Sequence, residues 1–163
     1  VRKERYSGAC SRSFYVGENI SYGNKNASIE EVIKASKKAN AHSFIKRLPN
    51  GYDTLVLEEG SNLSIGERQL IAIARSILAN KDILIMDEAT SNVDTRTEVL
   101  INEGMKNMLE GKTVFVIAHR LKTVRDADEI VVLENGKIIE RGKHEELLKL
   151  KQKYYKLYQN QFD

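Results

Sequence analysis

Two adjacent carboxylates, Asp87 and Glu88, follow the apolar run Ile83-Leu84-Ile85-Met86. Such a run reads as a short strand buried on both faces. Open α/β sheets bind ligands at the carboxyl ends of their strands, so chemistry is expected here. Side chains alternate along a strand, which lets the two acids take different roles. Phosphoryl transfer uses two such roles, one acid toward Mg2+ and the other toward the attacking water. Upstream, Ser64-Ile65-Gly66-Glu67 forms a capping box. Helix capping alone explains Ser64 and Glu67. The same helix start also offers free N–H groups and a positive dipole end that suit a phosphate. Gly66 would let a phosphate approach the backbone closely. Asp94, at the end of Ser91-Asn92-Val93-Asp94, caps the next helix. His119 follows a second apolar run, and a lone histidine is more often structural than catalytic.

The elements that position these residues follow from the pattern. Ser28-Ile29-Glu30-Glu31 is another capping box, opening a helix with Ile29, Val32, Ile33 and Ala39 at helical spacing. A second short helix around residues 41–47 ends at Leu48-Pro49-Asn50-Gly51, a turn by composition. After Ser64, Leu70, Ile71, Ile73, Ala74, Ile77 and Leu78 give one helix a broad apolar face. Residues 95–109 keep helical spacing, with Gly111 as the stop. Residues 113–118 read as a second buried strand ending at His119. Apolar runs at 130–133 and 137–139 flank Glu134-Asn135-Gly136, a hairpin signal. From Glu145, leucines and tyrosines mark one charged, amphipathic final helix. Strands alternating with helices predict an α/β protein with a largely parallel sheet.

Bulk properties narrow the class. A chain of 163 residues can bury a real core. With 26 basic and 23 acidic residues the net charge is +3, which gives no ground for a nucleic-acid partner. Cys10 is the one cysteine, so no internal disulfide can form, and a reducing compartment fits. No apolar run approaches the roughly 18 residues that span a bilayer. Residues 1–15 are polar, basic and without period, an unassigned arm. The chain opens on Val1 without an initiator methionine, as expected of a fragment or a processed chain.

The order of these parts resembles the ATP-binding-cassette (ABC) ATPases. Residues 63–67 resemble the signature loop L-S-G-G-Q, with Ile65 and Glu67 standing where the family has Gly and Gln. Residues 83–88 resemble the Walker B strand and catalytic glutamate, 91–94 the D-loop, and His119 the H-loop histidine. Glu18-Asn19-Ile20-Ser21-Tyr22-Gly23 resembles an element of ABC exporters just past their Q-loop. Residues 54–60, matching T-x-V-x-E-x-G, resemble the exporter X-loop near the transmembrane coupling helices. The resemblance implies ATP and Mg2+ as cofactors. It implies Asp87 as metal ligand, and Glu88 and His119 as catalytic residues. Ser64, Ile65, Gly66, Glu67, Ser91 and Asp94 would contact nucleotide across a dimer. The implied partners are a second nucleotide-binding domain and the transmembrane domains of a transporter, at the cytoplasmic face of a membrane.

Two family parts have no counterpart here. Nothing matches GxxxxGK[ST], and no glutamine precedes Gln69. The expected fold is therefore a partial P-loop NTPase (RecA-like) core, with a helical signature subdomain at 16–79 and the C-terminal half of the core at 80–163. The strand leading to His119 should then show unpaired backbone and exposed apolar faces. The isolated chain is expected to be inactive and incompletely stable. The competing readings are a non-transport ABC ATPase, which 18–23 and 54–60 argue against, and a P-loop-less module for binding or regulation.

Overall fold

A computed structural model describes residues 14–87, 93–117 and 124–160. The chain divides into two compact units, 1–84 with 90–113, and 85–89 with 114–163.

The first unit is built around one helix. β1 (Phe14–Tyr15) pairs antiparallel with β2 (Leu55–Val56), Tyr15 opposite Leu55. Between them run α1 (Val16–Ser21), α2 (Ile29–Lys38) and α3 (His42–Ile45). α4 (Ile65–Ala79) packs against α1, α2 and α5 (Thr95–Leu109). It buries Leu70, Ile71, Ile73 and Ala74, and each large aliphatic side chain so buried stabilises by roughly 1.5–3 kcal/mol. Both predicted capping boxes form. Ser28 Oγ accepts from Glu31 N while Glu31 Oε2 accepts from Ser28 N. Asn80, in the left-handed region at φ 45°, ends α4. Side chains tie α5 back to the end of α2, since Asn40 Nδ2 donates to Leu100 O and Asn107 Nδ2 donates to Lys38 O.

Residues 18–23 lie on α1 and the turn after it, and α4 holds them. Arg75 Nε donates to Asn19 O (2.7 Å) and Nη2 to Asn19 Oδ1 (3.1 Å). Its guanidinium lies 5.9 Å from the Tyr22 ring centroid, a cation–π contact. Gly23 lies so close to α4 that a Cβ there would overlap Arg75 O. The residues of this exporter-like element thus have a packing reason of their own.

His42 is half-buried and shares a 2.9 Å hydrogen bond with Tyr52 Oη. Desolvation first, then Lys37 and Lys46, hold its imidazole below the usual histidine range. The unfolded chain therefore takes up this proton before the folded chain does. The stability is full above the ordinary value of about 6.5 and is lost as pH falls through the lower folded value. Melting temperature should accordingly drop on going from pH 7 to about pH 5, and His42→Gln should flatten that slope.

β3 (Ile83–Asp87) and β4 (Thr113–Ile117) pair in a two-stranded sheet. Thr113 N donates to Asp82 O, which sets their starts side by side, as in a crossover pair. The expectation of strands buried on both faces fails. Ile83 and Ile85 are 61% and 73% exposed, and Phe115 and Ile117 are 59% and 53% exposed. Among the described residues neither strand has another neighbour in its sheet and no layer covers these side chains, so both outer edges keep unpaired backbone groups.

The second unit's described core is local. β5 (Ile130–Glu134) and β6 (Lys137–Gly142) form the predicted hairpin, turned by Asn135 and Gly136 at φ 50° and 74°, a primed-turn geometry. Ile130 and Val132 pack with Leu147 and Tyr154. The single final helix is corrected to two, α6 (His144–Leu150) and α7 (Lys153–Gln159). Lys151 turns into the left-handed region at φ 53° and ends α6. The buried Glu140 then supplies a new cap, its Oε1 accepting from Lys153 N (2.6 Å) and Tyr154 N (3.2 Å). Apolar spacing cannot reveal that break, because both halves keep the same inward face.

Candidate functional site

The structure gathers Ser64, Ile65, Gly66, Glu67 and Asp94 where two helices begin side by side. Glu67 N donates to Ser64 Oγ (3.2 Å), and Ser64 N donates to Glu67 Oε2 (2.9 Å). The Glu67 carboxylate is thereby drawn back onto the cap. The side chain of Ile65 is exposed. In the next helix Asp94 Oδ1 accepts from Arg96 N (3.1 Å) and Thr97 N (3.0 Å). These caps leave the Ile65, Gly66 and Thr95 N–H groups with no acceptor among the described residues. Two positive helix ends with free donors can hold an anion.

Gly66 has a reason to be glycine that spacing did not reveal. A Cβ built on it would overlap Thr97 Cγ2 and lie 3.2 Å from Val93 Cγ1. The first turn of α4 thus rests on the first turn of α5. The Asp94 carboxyl is held below its usual range, chiefly by the Thr97 hydroxyl and then by the Thr97 backbone N–H.

The approach to α4 is also fixed by residues the sequence did not single out. Arg68 Nη1 donates to Leu63 O (2.7 Å) and Gly60 O (3.1 Å). Asn62 bridges the preceding loop, donating to Leu55 O (2.9 Å) and accepting from Leu57 N (3.0 Å). The available signal for Arg68 was its place one turn after Ser64, where it can reach back over the cap. In this loop Leu55, Leu57, Glu58 and Glu59 are exposed.

Asp87 is the last residue of β3 and belongs to the second unit. Its carboxylate is exposed. Glu88, Ser91 and His119 lie outside the described residues. No group of three or more His, Cys, Asp or Glu that could hold a metal occurs among the described residues. Mg2+ bound together with nucleotide phosphates needs only one or two carboxylates, and the carboxylate of Asp87 at the end of β3 is a ligand type that fits. No helix among the described residues is long and apolar enough to cross a membrane. His144, near the start of α6, shares a 2.7 Å hydrogen bond with Tyr154 Oη, a structural role.

Comparison with known proteins identifies the family. The chain is 55% identical over 148 residues to the uncharacterized ABC transporter ATP-binding protein YfiC of Bacillus subtilis, covering 91% of this chain and 24% of that protein. It is 53% identical over 147 residues to an ATP-dependent lipid A-core flippase of Syntrophus aciditrophicus, covering 90% and 24%. Among solved structures it matches a bacterial Atm1-family ABC exporter with ATP bound, with a TM-score of 0.81 and 43% identity over 96% of this chain and 27% of that one. The chain thus spans about a quarter of the length of the curated relatives it matches. A family model described as ABC transporter matches residues 8–91, more than half of the chain. The α/β architecture and these matches agree, and the chain belongs to the ABC transporter family.

Proposed function

We propose that this chain forms part of the ATP-binding and ATP-hydrolysing domain of an ABC exporter, coupling MgATP hydrolysis to transport. The observation that carries the reading is the pair of adjoining helix starts at Ser64 and Asp94, where the Ile65, Gly66 and Thr95 N–H groups have no acceptor among the described residues. In that role Ile65 and Gly66 hold the terminal phosphate of an ATP bound mainly by a second nucleotide-binding domain. Ser91 and Asp94 reach across the same dimer interface. Asp87 takes Mg2+, Glu88 orients the attacking water, and His119 contacts the terminal phosphate. Mg2+ supplies charge neutralisation at the transferring phosphoryl group. In this reading the loop at 54–60, exposed at Leu55, Leu57, Glu58 and Glu59, meets the transmembrane domains at the cytoplasmic side of a membrane. The relatives named as a flippase and an exporter support an export role.

The test is hydrogen exchange on the intact transporter, with and without Mg2+ and a slowly hydrolysed ATP analogue. Protection of the amides of Ile65 and Gly66 should rise by about tenfold or more, the scale of one added hydrogen bond to a charged group. Unchanged exchange at both residues, with nucleotide bound elsewhere in the protein, overturns the reading.

A further inference from the structure

We propose that Thr97 is the positioning residue that registers the first turn of α4 against the first turn of α5, and so aligns the signature-like turn with Asp94. The proposal rests on the reading of Gly66 as a nucleotide contact and goes beyond it. Thr97 is half-buried. Its methyl Cγ2 stands against Gly66, where any Cβ would overlap it. Its backbone N–H donates to Asp94 Oδ1 at 3.0 Å. Its hydroxyl is also the first influence that holds the Asp94 carboxyl below its usual range.

Two consequences separate this role from general packing. If Gly66 is small because of Thr97, removing the Thr97 methyl should make room for a side chain at position 66. Apart from that methyl, the nearest atoms to a Cβ on Gly66 are Val93 Cγ1 at 3.2 Å and Thr97 Cβ at 3.3 Å, contacts that shifts of a few tenths of an ångström relieve. If the hydroxyl holds Asp94 in register, removing it should affect nucleotide use and not merely the amount of folded protein.

The experiment is steady-state MgATP hydrolysis by the intact transporter, with kcat expressed per folded molecule, for Gly66→Ala, Thr97→Ser, Thr97→Val and the double variant Gly66→Ala/Thr97→Ser. Gly66→Ala should lower kcat by about 100-fold, the scale of a 1 Å misplacement. The double variant should recover at least about tenfold of that loss, a non-additivity that only touching residues show. Thr97→Val, which keeps the methyl and loses the hydroxyl, should raise the MgATP KM by about tenfold, the scale of a lost charge-assisted hydrogen bond. Thr97→Ser should stay near the parent KM. A double variant no better than Gly66→Ala overturns the Thr97 role, while amide protection at Ile65 and Gly66 still supports the nucleotide contact. Unchanged kcat and KM for both Thr97 variants overturn the proposal as well. A fully active Gly66→Ala overturns both readings. Should Gly66→Ala fail to fold, the two Thr97 variants decide the matter alone.

Discussion

Glu88→Gln in the intact transporter is expected to lose about 10²–10⁴-fold in MgATP hydrolysis, the range a positioned general base contributes, while nucleotide binding persists. The amide would keep the size and hydrogen-bonding reach of the side chain but could not accept a proton from water. Asp87 is the last residue of β3, and Glu88 follows it directly. Asp87→Asn should therefore show a different fault, a need for more Mg2+ with loss of affinity for the metal–nucleotide pair. Single-turnover hydrolysis and nucleotide binding, measured on the same preparation, separate the two. A Glu88→Gln variant within about tenfold of the parent rate would move the base to another residue.

Tyr154→Ala should remove about 3–5 kcal/mol from the second unit, the usual cost of truncating a buried aromatic side chain. Tyr154 is 1% exposed and packs with Ile130, Val132 and Leu147. Its hydroxyl is the partner of His144, and its ring stacks with Tyr158 at a centroid distance of 6.4 Å. A domain is stable by only about 5–15 kcal/mol, so most of the reserve would go. Tyr154→Phe keeps the ring and gives up one hydrogen bond, about 1 kcal/mol. Denaturant titration should rank them parent, Phe, Ala, with a wide gap before Ala. Near-equal midpoints for Phe and Ala would mean that the hydroxyl network, not ring packing, holds α7 in place.

What the sequence made legible was mostly local. Ser28 and Ser64 each stand three residues before a glutamate, and both boxes close as the spacing requires. Asn135-Gly136 turns the hairpin because both residues adopt the positive φ that the turn needs. What stayed hidden depends on what a residue meets across the fold. The smallness of Gly66 answers to Thr97, on the next long helix. Asn19 and Arg75 pair over 56 positions, and nothing in either segment names the other. The apolar character of Ile83, Ile85, Phe115 and Ile117 was plain, but apolar sequence does not say whether a covering layer is present. The break at Lys151 escaped because a lysine carries no sequence mark of a left-handed stop, and its cap, Glu140, comes from a strand.

The bonds that tie α5 to α2 also set an order of assembly. Asn40 must find Leu100, 60 residues later, and Asn107 must find the carbonyl of Lys38, 69 residues earlier. The hairpin and its two helices close over 10 to 19 positions, from His144 with Tyr154 to Glu134 with Lys153. Loop closure grows costlier with separation, and long-range contacts form late. On the ribosome, the helical unit cannot finish until α5 has emerged, so α4 waits with part of its apolar face uncovered. The C-terminal hairpin needs no such wait. Its partners leave the tunnel almost together, so the hairpin and its two helices can fold soon after they are made.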